Sequence, residues 1–109
     1  MAEYPLLEKY ESIKHRFEEV QQLITDPEII ADMKRYVKLN QEYKNLEKLL
    51  EVFKDYKNLV DNIESGKEML AEESDEELRE MAREEMEKAE EKIPAKEQEI
   101  KMLLVPADP

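Results

Sequence analysis

The sequence predicts an all-α protein, an antiparallel helical bundle or long helical hairpin of three main helices. Three observations carry this. Gly66 is the only glycine, whereas sheets and their turns draw on glycine and β-branched residues. Glu, Lys, Leu, Met and Ala dominate, and these are strong helix formers. Apolar residues recur at steps of three and four along most of the chain, the period that gathers them on one helix face.

Leu6, Tyr10, Ile13, Phe17, Val20 and Ile24 form the first such stripe. Pro5 suits the opening turn, where its missing N–H costs nothing. The stretch ends at Asp26-Pro27, a good N-cap followed by a good first-turn residue. "PEIIAD" reads as a single turn, with Asp32 then capping the main helix. From Leu39 the stripe continues through Tyr43, Leu46, Leu50, Phe53, Val60, Ile63 and Leu70, with Lys57 and Lys67 in two of its slots. A second row, Leu49, Val52, Tyr56 and Leu59, widens the apolar face. A broad face touches two neighbours, which makes this the central helix. Unbroken from about residue 32 to 70, it would be on the order of 55–60 Å long. Ser65-Gly66 is the place where weakening or termination is expected.

"SDEE" opens the third helix as a capping box, with Ser74 as the cap and Glu77 reaching back. Asp75, Glu76 and Glu77 suit the positive end of the helix dipole. Leu78, Met81, Ala82, Met86, Ala89, Ile93, Ile100, Leu103 and Leu104 form its stripe. Pro94 removes one N–H bond and crowds the carbonyl of Glu90, so a kink is expected there. Long helices with short connections imply antiparallel neighbours. There is no internal repeat.

With 109 residues the chain has the length of one domain. Its net charge of −12 opposes free-standing binding to nucleic acid, which rests on a basic surface. The charge fits a neutral or basic partner. The absence of cysteine removes disulfides, thiolate metal sites and cysteine nucleophiles together. "MAEYPLLEKY" has no signal-peptide pattern, and no apolar run approaches the ~20 residues that span a bilayer. The expected compartment is the cytosol, with neither membrane nor DNA as a partner.

Catalysis is hard to build from this inventory. His15 is the only histidine and reads as an exposed helical residue, because a catalytic imidazole needs a positioned partner. Carboxylate-bridged metal sites in bundles need Glu-x-x-His pairs, and none occurs. One glycine cannot form a phosphate-cradling loop. No catalytic, metal-binding or cofactor-binding residue is therefore assigned, and no cofactor is expected. The stretch from Glu72 to Glu91 holds eleven acidic against three basic residues and reads as a solvated helix face. "MKRYVKL", with Lys34, Arg35, Tyr36 and Lys38, is the only locally basic stretch with an aromatic. It reads as a snorkelling helix surface, with phosphate contact as its functional counterpart. Met69, Met81, Met86 and Met102 read as core filler.

Three stretches narrow this further: "LITDPEIIADMKRYVKLNQEYKNLEKL", "REMAREEM" and "LLVPADP". In this order and spacing they resemble the N-terminal domain of the bacterial release factor 1 family, class I peptide chain release factors for UAA and UAG. That family pattern is a Leu-rich first helix ending in Asp-Pro, then an Ile-Ala-Asp turn, then Arg with Glu-Tyr seven residues on. Here these are Asp26-Pro27, Ile30-Ala31-Asp32, Arg35 and Glu42-Tyr43. Arg79-Glu80-Met81-Ala82 matches the family's Arg-Glu-Met-Ala, and a proline near Pro94 occurs in many members. The UGA-reading sister family has a different pattern around the Asp-Pro.

The resemblance covers essentially the whole chain, and what it implies is translation termination. It implies a helical N-terminal domain over residues 1–105 and, from 106–109, the start of a linker to a β-rich core. That core would carry a Pro-x-Thr codon reader and a Gly-Gly-Gln loop that triggers peptidyl-tRNA hydrolysis. Neither motif is in this sequence, so the chain alone is expected to be inactive and not an enzyme. The implied partners are the ribosome, at the stalk-base protein and its rRNA, and the methyltransferase that modifies the factors' glutamine. The alternative is an autonomous coiled-coil or helical-bundle adaptor, and self-association of the isolated chain would fit either reading. Pro94 within a helix and an uncapped apolar tail argue against a designed bundle.

Overall fold

The computed structural model describes residues 4–104. Four helices follow one another: α1 (Leu7–Leu23), α2 (Pro27–Ala31), α3 (Met33–Glu72) and α4 (Glu76–Leu104). Among the described residues there is no strand, and the all-α antiparallel class holds. Two compact units divide the chain after Phe53, so α3 contributes its first part to one and its remainder to the other. The linker start expected at residues 106–109, and the boundary at residue 105, lie outside the described residues.

The first unit contains α1, α2 and the start of α3. Helix α1 opens through turn bonds rather than a side-chain cap: Leu7 N–H donates to Tyr4 O and Glu8 N–H to Pro5 O, both at 3.1 Å. At its other end the Thr25 hydroxyl donates to Gln22 O at 2.8 Å, satisfying a carbonyl left without a helical partner. Asp26 then caps α2, its carboxylate accepting from Glu28 N–H at 2.9 Å with Pro27 beside it in the first turn. Asp32 adopts an extended backbone (ψ 93°) that ends α2. It also starts α3, taking Tyr36 N–H on its carbonyl at 2.9 Å and Arg35 N–H on its carboxylate at 3.4 Å. Both expected caps are therefore in place.

Helices α1 and α3 run antiparallel here, as the order of their contacts requires. Tyr10 stacks on Phe53 with ring centroids 5.6 Å apart, and Phe17 stacks on Tyr43 at 5.0 Å. Ile13, Val20, Ile29, Leu49 and Phe53 are buried. Full burial of a side chain of this size stabilises by about 1.5–3 kcal/mol, so the stripe, not helix propensity, holds the unit together.

The second unit pairs the remainder of α3 with α4, again antiparallel. Its contacts run from Tyr56 with Glu97, through Gly66 with Met86, to Leu70 with Arg79. Tyr56, Val60, Ile63, Ala82, Ala89, Ile93 and Ile100 form its core. Four expectations are corrected in this unit. Helix α3 runs without a break through Ser65-Gly66. A Cβ built on Gly66 would lie 3.1 Å from the Met86 Cβ, so the glycine admits a close helix approach instead of ending the helix. The α4 cap is Asp75 rather than Ser74: Glu77 N–H donates to the Asp75 carboxylate at 2.9 Å, and Arg79 N–H to the Asp75 carbonyl at 2.9 Å. The residue whose carbonyl takes the first helical bond is the cap, and Asp serves there as well as Ser.

The third correction concerns the methionines. Only Met86 is half-buried, while Met69, Met81 and Met102 are exposed. The fourth is the α4 stripe, from which Leu78 and Leu103 are likewise exposed. The buried line of α4 is Ala82, Ala89, Ile93 and Ile100, with Met86 half-buried beside it. Pro94 is exposed, and α4 continues through it as helix to Leu104.

Candidate functional site

Among the described residues, the candidate features are exposed surfaces. In the first unit, the Asp32 junction sets the helical register that leaves Lys34, Arg35 and Lys38 exposed. Met33 and Val37 are exposed on the same turns. Lys34, Lys38, Met33 and Val37 together line a shallow groove of ≈ 440 Å³. This is a mixed basic and apolar patch, suited to phosphate or to an acidic apolar partner.

Helix α1 meets α3 through a fork. The Arg16 guanidinium donates to both Glu42 oxygens, at 2.6 and 2.7 Å, and also to Glu19. Bidentate pairing of this kind fixes geometry as well as adding energy. The bonds to Glu42, then those to Glu19, raise the Arg16 pKa above the ordinary guanidinium value. A raised pKa contributes stability that is complete below the unfolded value, and an arginine is charged throughout the physiological range anyway. The contribution is therefore constant with pH on the arginine side.

In the second unit the residues from Glu72 to Glu91 lie mostly exposed. Their few bases are engaged: Arg83 pairs with Glu80, and Lys88 with Glu85 at 4.0 Å. Arg79 donates to the carbonyls of Leu70 and Glu73, covering acceptors that the end of α3 leaves open. The surface thus stays strongly acidic. His15 is exposed on α1. No group of three or more His, Asp or Glu among the described residues is placed to hold a metal ion. No helix among them is long and apolar enough to cross a membrane.

The motif residues do mostly structural work. Asp26 and Asp32 are caps, Glu42 and Tyr43 are the partners of Arg16 and Phe17, Arg79 closes the turn between α3 and α4, and Ala82 is core. Pro27, Ile30, Ala31, Asp32, Arg35, Glu80 and Met81 are exposed. Sequence reasoning missed the exposed Met69, Leu78 and Met81 beside Gly66. The sole glycine, in step with an apolar row, was the available sign of close packing.

The chain matches the PCRF domain over residues 13–109. It belongs to the PCRF domain family. Over 104 residues it is 56% identical to Peptide chain release factor 1 of Bacteroides fragilis, covering 95% of this chain and 28% of that protein. It is 56% identical over 109 residues to Peptide chain release factor 1 of Parabacteroides distasonis, covering 100% of this chain and 30% of the relative. For the protein of the same name from Cytophaga hutchinsonii the identity is 51% over 104 residues, or 95% and 29%. The chain therefore spans less than a third of the length of these curated relatives. No solved structure matches it. In this PCRF domain Asp26, Asp32, Glu42, Tyr43 and Arg79, which carried the resemblance, serve as caps or helix contacts.

Proposed function

We propose that this chain is the ribosome-docking arm of a class I peptide chain release factor and serves translation termination in the cytosol. The observation that supports it most is the PCRF match over residues 13–109, with relatives named Peptide chain release factor 1 in which the shared stretch is under a third of the length. In this reading residues 1–105 are the arm, and 106–109 begin the linker to a core that reads the codon and triggers hydrolysis. The arm itself performs no catalysis. It meets the stalk-base protein and rRNA, with the exposed Lys34, Arg35 and Lys38 suited to phosphates. The methyltransferase of the factor's glutamine is a further partner of the whole protein.

The test is a release assay on ribosomes holding a labelled peptidyl-tRNA at a stop codon, joined to co-sedimentation with ribosomes. The chain alone is expected to release no peptide, yet to sediment with ribosomes and be displaced by full-length Parabacteroides distasonis release factor 1. Stop-dependent release by the chain, or no displaceable binding, would overturn the reading.

An adaptor that self-associates is the second reading, favoured by the exposed Met33 and Val37. A mass that doubles with concentration in light scattering, without ribosome binding, would select it.

A further inference from the structure

We propose that the apolar groove over Gly66, within the second unit, docks a basic, helix-forming segment of a partner protein. The groove encloses ≈ 360 Å³. Met69 of α3 and Leu78 and Met81 of α4 line it, together with Gly66, where α3 approaches Met86 of α4, and Ala82. These three large side chains are 45%, 41% and 62% exposed, although they lie on the same helices as the core. Adjacent exposed apolar side chains of this size mark interaction surfaces. Methionine adapts its shape to an incoming side chain. A groove between two helices, with small residues where they meet, accepts the apolar face of a third helix.

Charge selects the occupant. From Asn62 to Glu85 there are ten acidic and three basic residues. Of these bases, Arg79 is committed to carbonyls and Arg83 to Glu80. Glu85 itself lines the groove. This field repels phosphates, which rules against RNA here, and attracts Lys and Arg flanking an apolar anchor. A second copy would offer Lys34 and Lys38 beside Met33 and Val37, but each copy carries −12, and that repulsion opposes the pairing. The inference rests on the docking reading only for where the partner is met. The groove itself stands on these side chains and charges.

The probe is an amphipathic helical peptide of Leu and Lys, about 18 residues or five turns long. Its controls are the same peptide with Ser for Leu and with Glu for Lys. Titrated into the 109-residue chain with methyl-labelled methionines, the Leu/Lys peptide should shift Met69 and Met81. It should bind at least about tenfold tighter than either control. Met69→Glu with Met81→Glu should weaken it about tenfold or more, although the added charge alone would tighten it. Met102→Glu, equally exposed on α4, should leave affinity unchanged. Circular dichroism verifies that both variants stay helical. Equal binding of the Ser peptide would overturn the proposal, as would an indifferent double variant or tighter binding of a single-stranded RNA. So would self-association that Met81→Glu abolishes. Lost peptide binding with ribosome co-sedimentation intact removes the groove alone, and the reverse removes only the docking reading.

Discussion

Gly66 and Met86 bring α3 and α4 so close that another Cβ would need its neighbour to give by a few tenths of an ångström. One built on Gly66 falls 3.1 Å from the Met86 Cβ and 3.3 Å from its Sδ. The Sδ can swing aside, whereas the Cβ moves only with the α4 backbone. Two effects therefore oppose each other in Gly66→Ala. Helix propensity favours alanine by about 1 kcal/mol, and the overlap costs a similar amount. Gly66→Leu keeps the propensity gain but forces the helices apart, at about 1–3 kcal/mol. Urea unfolding should find the alanine variant within about 1 kcal/mol of the parent and the leucine variant clearly less stable. A leucine variant as stable as the parent would refute close approach at this point.

The Arg16–Glu42 fork should contribute little despite its geometry. Both side chains are more than a third exposed, and solvent screening reduces such pairs to about 0.2–1 kcal/mol. A double-mutant cycle with Arg16→Met and Glu42→Gln should return a coupling near 0.5 kcal/mol, shrinking as salt is raised. Because the Arg16 pKa is raised, its side of the pair contributes fully below the ordinary guanidinium value. Alkaline titration should leave the coupling unchanged until the protein reaches that extreme.

Phe53 and Tyr56 test the two cores. Phe53 is fully buried on Tyr10, so Phe53→Ala should cost about 3–5 kcal/mol. Tyr56 is fully buried, and its hydroxyl donates to Glu97 at 2.7 Å. Tyr56→Phe keeps the ring and loses the charge-assisted bond, at about 1–2 kcal/mol. Thermal melts should rank Phe53→Ala well below Tyr56→Phe.

Arg79 closes the end of α3 from the first turns of α4 through the carbonyls of Leu70 and Glu73. Arg79→Met keeps much of the aliphatic stem and removes the donors. The expected loss is about 1–2 kcal/mol. Amide exchange should quicken for residues 70–78 and stay unchanged around Tyr10 and Phe53. Uniform quickening along the chain would contradict a local role.

The basic patch gives a prediction of a different kind. If Lys34, Arg35 and Lys38 meet rRNA, replacing all three with Gln should weaken ribosome co-sedimentation and flatten its salt dependence, each phosphate contact adding about one unit of slope. The three are exposed, so folding should be unaffected. An unchanged salt slope would remove rRNA as the partner of this patch.

Local chemistry made much of the fold legible. Asp26 and Asp32 are caps because a short carboxylate reaches its own following N–H groups, an interaction that needs no other part of the chain. The stripe from Leu6 to Ile24 is buried or half-buried throughout, since a period of three and four defines a face whatever covers it. Where two residues in a row could do the same work, the pattern pointed to Ser74, and the structure puts the cap one residue later at Asp75.

By itself, then, the sequence determined the helices, their apolar faces, the two Asp caps and the acidic character of α4, because these depend on neighbours within a turn or two. Only the tertiary structure decided what Gly66 does and where the methionines go. Glycine weakens a helix locally, yet beside Met86 it permits a contact that a side chain would block. Met69 and Met81 have the chemistry of core residues, but they stay exposed beside the point where α3 and α4 approach closely at Gly66. That outcome depends on the distance between two helices, a quantity set by packing and invisible in the period of either one.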